Sequence, residues 1–236
     1  MVSVEGMSRP RITPAGWLAV AATVVYAVMW LAHAQAWGWL HTADWSLLNP
    51  AHDIGIKSRA WVRFWDDVSF VLGPVPLRLL GGLAAVVSAV RREARMALLV
   101  LFCAPLSGLV TWAAKGLAGR PRPMTALVVA PSTSFPSGHA LEATASLLAL
   151  LTFLLPMVAS RALRVAAVAV AVVGVVMVSI ARVALNVHHP SDVIAGWALG
   201  FLYFLLCLWV FRPPPLVTAR DTTGSKPLLD PKAGAR

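Results

Sequence analysis

VAAVAVAVVGVVMVSIARVA, residues 165–184, decides the fold. Its twenty positions hold one ionisable side chain, Arg182, and as a helix it extends about 30 Å, the thickness of a bilayer's hydrocarbon core. Inside lipid such a stretch can satisfy its backbone only as an α-helix. Five further stretches share its character: Gly16 to Ala34, Phe70 to Val90, Met96 to Ala114, His139 to Met157 and Val193 to Phe211. The chain therefore reads as all-α, a bundle of six transmembrane helices. The second stretch contains Pro74, Pro76 and Arg78, so it is expected to begin irregularly, with Arg78 snorkelling or facing protein.

The composition agrees. Of 236 residues, 58% are apolar and 13% charged, against about 25% charged in a soluble domain. The mean hydropathy is +0.74, which leaves too little polar surface to coat a soluble globule. Intrinsic disorder and a disulfide-stapled secreted scaffold are excluded, because Cys103 and Cys207 each lie inside an apolar run and read as small hydrophobes. A net charge of +10 suits either a nucleic-acid binder or a membrane protein with basic loops. The hydropathy selects the second, with the bilayer as partner and no nucleic acid.

Between the stretches, Arg9, Arg11, Arg91, Arg92, Arg95, Arg161, Arg164, Arg212, Arg220, Lys226, Lys232 and Arg236 fall on one side, twelve of the twenty cations. The positive-inside rule makes that side cytoplasmic, in a multi-pass protein of the cell membrane. Residues 1–15 then form a cytoplasmic N-terminal segment, 16–212 the six-span domain, and 213–236, opening on Pro213-Pro214-Pro215, a disordered cytoplasmic tail. Gln35 to Ser69, Lys115 to Gly138 and Leu185 to Asp192 share the outer face. A competing reading takes Arg9 and Arg11, ahead of an apolar run ending in Ala32-His33-Ala34-Gln35-Ala36, as a cleaved signal peptide. Cleavage would leave an odd set of five spans. The first outer loop holds Trp37, Trp39, Trp45, Trp61 and Trp65, and a helical stretch from Ala51; its plainest reading is an aromatic belt.

Three outer stretches hold polar residues that membrane insertion alone does not require. In Lys115-Gly116-Leu117-Ala118-Gly119-Arg120-Pro121-Arg122-Pro123, three cations crowd within eight positions with no acidic neighbour in sequence. They suit an anion, although contact with lipid headgroups is the simpler use. Ser134-Phe135-Pro136-Ser137-Gly138-His139 leads into the fourth span. Ser137 is a natural N-cap, Gly138 permits close approach to the backbone, and the helix N-terminus attracts anions. His139 in the first turn is placed to reach a leaving oxygen.

The third stretch runs from Arg182 to Asp192. Pro190 fits the first position of the sixth helix and brings Asp192 into its first turn. The four-residue step from His188 favours a hydrogen bond that frees the far imidazole nitrogen as a nucleophile. His189 competes for this assignment at a less favourable spacing. Metal ligation by His139, His188, His189 and Asp192 is disfavoured by the surrounding Lys and Arg charge, so no metal or cofactor is expected.

Lys115-x6-Arg122-Pro123, Pro136-Ser137-Gly138-His139 and Arg182-x5-His188-x3-Asp192 together resemble the three motifs of the type 2 phosphatidic acid phosphatase family. One departure is Ala181, where the family usually has Ser. The charge asymmetry puts an active site built from these stretches at the outer membrane–water interface, and the resemblance implies a metal-free hydrolase working through a phosphohistidine. His188 would attack phosphorus and Asp192 would orient it. His139 would protonate the departing oxygen and later activate water. Lys115, Arg122, Arg182, Ser137 and Gly138 would hold the phosphoryl oxygens. Arg120 is a possible second phosphate contact, or faces lipid. Glu142, three residues beyond His139, would support that imidazole or line the substrate groove.

The implied substrate is a lipid phosphate whose tail stays in the bilayer. Arg120 beside Lys115 and Arg122 tilts the choice to a polyprenyl diphosphate, and the chain looks similar to bacterial undecaprenyl-diphosphatase-like members. Phosphatidic acid, phosphatidylglycerol phosphate and a lipid phosphotransferase reaction are the rivals. Vanadium haloperoxidases share the motifs but are soluble. A transporter or membrane scaffold with a dead site would not need every acid, base and nucleophile position filled.

Overall fold

A computed structural model describes residues 13–214, and it is helical throughout apart from turns and loops. The helices are α1 (Pro14–Ala34), α2 (Gly38–Gly55), α3 (Arg59–Val71), α4 (Pro74–Val90), α5 (Ala94–Cys103), α6 (Ser107–Ala118), α7 (Gly138–Leu154), α8 (Arg161–Ala184) and α9 (Pro190–Phe211). Six stretches are long and apolar enough to cross a membrane: α1, α3 with α4 as Arg59–Val90, α5 with α6 as Ala94–Ala118, α7 with its terminal turn as Gly138–Met157, α8, and α9. The cytoplasmic assignments for residues 1–12 and 215–236, and the disorder expected of the tail, fall outside the described residues.

The second span begins irregularly, as expected: α3 ends at Val71, the helix breaks at Leu72 and Gly73, and α4 restarts with Pro74 in its first turn, where its missing N–H costs nothing. The third is broken at residues 104–106, because Pro105 has no N–H to continue the ladder. The chain then resumes as α6, which runs past the expected Ala114 and closes at Gly119 in the left-handed region (φ 61°). Lys115 consequently occupies the last helical turn. In the first outer segment, α2 begins at Gly38 rather than Ala51 and passes through Pro50.

The bundle turns small residues inward and large apolar ones outward. Val165, Val170, Val173 and Ile180 of α8 are exposed, and so are Leu79, Leu83 and Val90 of α4. In a chain of this hydropathy those are lipid-facing surfaces. α7 packs against α9 through Gly196 and Gly200. A Cβ at Gly196 would stand 2.7 Å from the Ser137 carbonyl oxygen, and one at Gly200 2.5 Å from that of Leu141. Only glycine permits this approach. It sets the start of α7 beside the start of α9, where the Ser137 N–H donates to the Asp192 carbonyl at 2.9 Å. Phe135 is fully buried among Tyr26, Trp30 and His33, which pins the turn before α7 onto α1.

Candidate active site

The three motif stretches meet at one end of the bundle. Lys115 comes from the last turn of α6, Arg122 from the loop after it, Ser137, Gly138 and His139 from the start of α7, and Arg182 from the last turn of α8. His188 and His189 lie in the α8–α9 turn, and Asp192 in the first turn of α9. Asn186 shapes that turn in the left-handed region (φ 54°). It is held by Thr125 Oγ1, which donates to its Oδ1 at 2.8 Å, and by the Leu48 carbonyl, which accepts from its Nδ2 at 3.1 Å.

The cations are anchored by neutral acceptors, so their charge remains available. Lys115 Nζ donates to the Thr133 carbonyl. Arg122 donates through Nε to the Ser132 carbonyl and through Nη1 to the Val187 carbonyl, both at 2.6 Å. Arg182 Nη1 donates to Ser69 Oγ at 2.7 Å. Ser69, from α3, is a site residue that no sequence motif marks. A Cβ on Gly138 would fall 2.6 Å from the methyl carbon of Thr111 and 3.7 Å from Lys115 Cε, so this glycine lets α7 approach α6.

Arg122 Nη1 also lies 3.2 Å from His188 Nε2. A guanidinium can only donate, so Nε2 accepts and the neutral imidazole carries its proton on Nδ1. That nitrogen faces Asp192 Oδ2 at 3.6 Å, longer than a hydrogen bond but close enough for the carboxylate to stabilise a positive charge on the ring. Burial pushes the His188 pKa down to about 3, helped by the charges of Arg182 and Lys115, while Asp192 acts in the opposite direction. The ring is neutral at physiological pH.

Three buried polar atoms here have no partner: Ser137 Oγ, Arg182 Nε and His188 Nδ1. Ser137 occupies the N-cap position but makes no cap hydrogen bond, contrary to its expected use. Buried groups are normally satisfied, and unpaired hydroxyl and guanidinium donors beside three cations suit an oxyanion. Lys115, Arg122, Arg182 and His188 all lie within electrostatic reach of His139. Among the described residues, no three His, Cys, Asp or Glu are grouped so as to hold a metal ion.

Several expectations change. Arg120 is buried and neither contacts lipid nor stands free for a second phosphate: Nη2 pairs with Asp44 at 2.8 Å and Nη1 with Asp192 at 2.7 Å. The cation cluster therefore does have acidic neighbours, brought from α2 and α9. Glu142 makes no hydrogen bond to His139; one oxygen accepts from Arg78 at 2.7 Å and the other from Thr111 Oγ1 at 3.2 Å. That ion pair makes Arg78 face protein, one of its two expected placements. His189 Nδ1 comes to 3.1 Å from Asp192 Oδ2, nearer than His188. The reason is local, since His189 is the N-cap of α9 and its N–H donates to the same oxygen at 2.8 Å, which closes a capping box. Ala181 is fully buried and supplies no hydroxyl. Trp37 and Trp39 are exposed as a belt would require, but Trp45 packs edge-on against His189 and Trp61 donates to the Ala184 carbonyl at 3.3 Å.

Residues 96–214 match the family model of the PAP2 superfamily. Among solved structures, the chain is similar to a transmembrane PAP2-type phosphatidylglycerolphosphate phosphatase from Bacillus subtilis. The two are 25% identical, with a TM-score of 0.69 and an alignment covering 83% of this chain and 96% of that one. No curated protein matches the chain.

Proposed function

From the premise that the chain belongs to the PAP2 superfamily and is a multi-pass membrane phosphatase, we propose that it hydrolyses a lipid phosphomonoester through a phosphohistidine on His188, without a metal. The observation that carries this reading is the contact of Arg122 Nη1 with Nε2 of a neutral His188 at 3.2 Å, with Lys115 and Arg182 within electrostatic reach of both His188 and His139.

In the first half-reaction His188 Nε2 forms a bond to phosphorus as the bond to the lipid oxygen breaks. His139 gives that oxygen its proton. The imidazole gains positive charge, which the Asp192 carboxylate stabilises from the Nδ1 side. Lys115, Arg122, Arg182 and Ser137 meet the equatorial oxygens where charge accumulates. In the second half-reaction His139 takes a proton from water, the water oxygen bonds to phosphorus, and the P–N bond breaks.

An apolar groove of about 520 Å³ runs along α2, α8 and α9, lined by Leu47, Ile54, Ile180, Val183, Pro190 and Ile194. Its upper end lies at Ala184 and Pro190, the two ends of the turn that carries His188. This supports a substrate with a hydrocarbon tail over a soluble one. The choice of a monoester over polyprenyl diphosphate rests on Arg120, whose two Nη groups are engaged by Asp44, Ser191 and Asp192. The name of the Bacillus subtilis protein makes phosphatidylglycerol phosphate the first lipid to try. We place the site on the outer face of the cell membrane, with cytoplasmic termini.

Phosphate release from phosphatidylglycerol phosphate, phosphatidic acid, polyprenyl diphosphate and glucose 6-phosphate, compared by kcat/KM in mixed micelles, tests the reading. A monoester lipid should lead. A preference for the sugar phosphate would overturn the lipid assignment, and a preference for the diphosphate would overturn the monoester assignment alone.

A further inference from the structure

We propose that Asp44 is a positioning residue for this reaction, acting through Arg120 to hold the Asp192 carboxylate in place; the inference rests on the phosphatase reading above. Arg120 presents the two arms of its guanidinium to two carboxylates. Nη2 donates to Asp44 Oδ2 at 2.8 Å, and Nη1 donates to Asp192 Oδ1 at 2.7 Å and to Ser191 Oγ at 2.8 Å. Asp44 Oδ1 accepts the Ser191 N–H at 2.9 Å, and its Oδ2 accepts the Ser191 hydroxyl at 2.7 Å. All four residues are buried.

This arrangement does two things to Asp192. Ser191 is the second residue of α9, and its N–H has no partner within the helix. Asp44 satisfies it from α2, placing a negative charge at the positive end of the α9 dipole and fixing the turn on which Asp192 sits. Arg120 meanwhile occupies Oδ1, which leaves Oδ2 to face His188 and His189. One guanidinium shared between two carboxylates neutralises neither completely, so Asp192 keeps negative charge toward the imidazole that becomes cationic in the transition state. A flat, rigid fork sets both oxygens at once, which a lysine cannot do.

The role predicts a loss confined to the transition state. Asp44→Asn and Arg120→Lys, assayed for phosphate release from phosphatidylglycerol phosphate in mixed micelles, should each lower kcat about tenfold or more while KM stays within about twofold. The double variant should be little worse than the poorer single one, because both break the same link, whereas Asp44→Asn combined with Arg182→Lys should multiply the two losses. Arg120→Lys carries the test if Asp44→Asn does not yield folded protein. Unchanged kcat, a loss expressed in KM alone, or multiplied losses in the Asp44–Arg120 pair would overturn the inference. A wild-type protein that releases phosphate from no lipid would instead overturn the phosphatase reading on which it rests.

Discussion

Arg122 Nη1 stands 3.2 Å from His188 Nε2, with no carboxylate bound to that guanidinium in between. Because arginine offers only donors, this contact assigns the imidazole lone pair to Nε2 and its proton to the Asp192 side. In the proposed reaction the same arginine passes from the lone pair to a phosphoryl oxygen as phosphorus takes its place, so one residue both presets the tautomer and receives the substrate.

Ser137→Ala separates function from stability. Its hydroxyl is buried with no partner, so removing it should leave the melting temperature unchanged or slightly raised. Loss of one oxyanion donor should lower kcat by about 10²- to 10³-fold. Thermal unfolding in detergent and steady-state kinetics on the same preparation check both halves. A drop in melting temperature with normal kcat would assign Ser137 a capping role.

The buried His188 makes stability depend on pH. Its folded pKa is pushed down to about 3, while the unfolded ring titrates near about 6.5. Below that value the unfolded state takes up a proton that the folded state refuses. The stability from a neutral His188 is therefore present above about pH 6.5 and lost progressively as pH falls toward 3. Comparing melting temperatures of wild type and His188→Gln between pH 7 and 4 should show a steeper decline for the wild type; parallel curves would contradict it.

Chelator should leave turnover unchanged, and vanadate should inhibit by adopting the five-coordinate geometry of the transferring phosphoryl group. Activity lost in chelator and restored by zinc or magnesium would reinstate the metal reading of the His and Asp residues.

The outward placement of the site is checked at Val129, which is almost fully exposed in the segment between α6 and α7. Val129→Cys, in a background where Cys103 and Cys207 are replaced by Ala, should react with a membrane-impermeant thiol reagent on intact cells. Labelling only after lysis would invert the topology.

Hydropathy made the six spans legible, because twenty apolar residues in lipid have one backbone solution. Short-range spacing also marked the catalytic candidates, each motif lying within a dozen residues. What escaped were pairings between distant residues. Asp44 meets Ser191 across 147 positions, and Arg78 meets Glu142 across 64. Nothing local distinguishes Asp44 from a solvated carboxylate, and Glu142, although its place inside the fourth span marks it, carries no local sign that Arg78 is its partner. The relation of the two histidines to Asp192 was misjudged for a different reason: four-residue spacing predicts contact inside a helix, but His188 lies outside α9 and His189 caps it. Pro105 was similarly hidden by its apolar neighbours, although its missing N–H divides the third span.

The central claim is covalent transfer to His188, and trapping the phosphoenzyme tests it most directly. Purified protein given phosphate-labelled lipid and quenched within the first turnover should carry an acid-labile, alkali-stable label on the peptide containing His188. His188→Ala should carry none and turn over at background rate, whereas His189→Ala should still be labelled. Label on His189, or full-rate turnover by His188→Ala, would contradict the account.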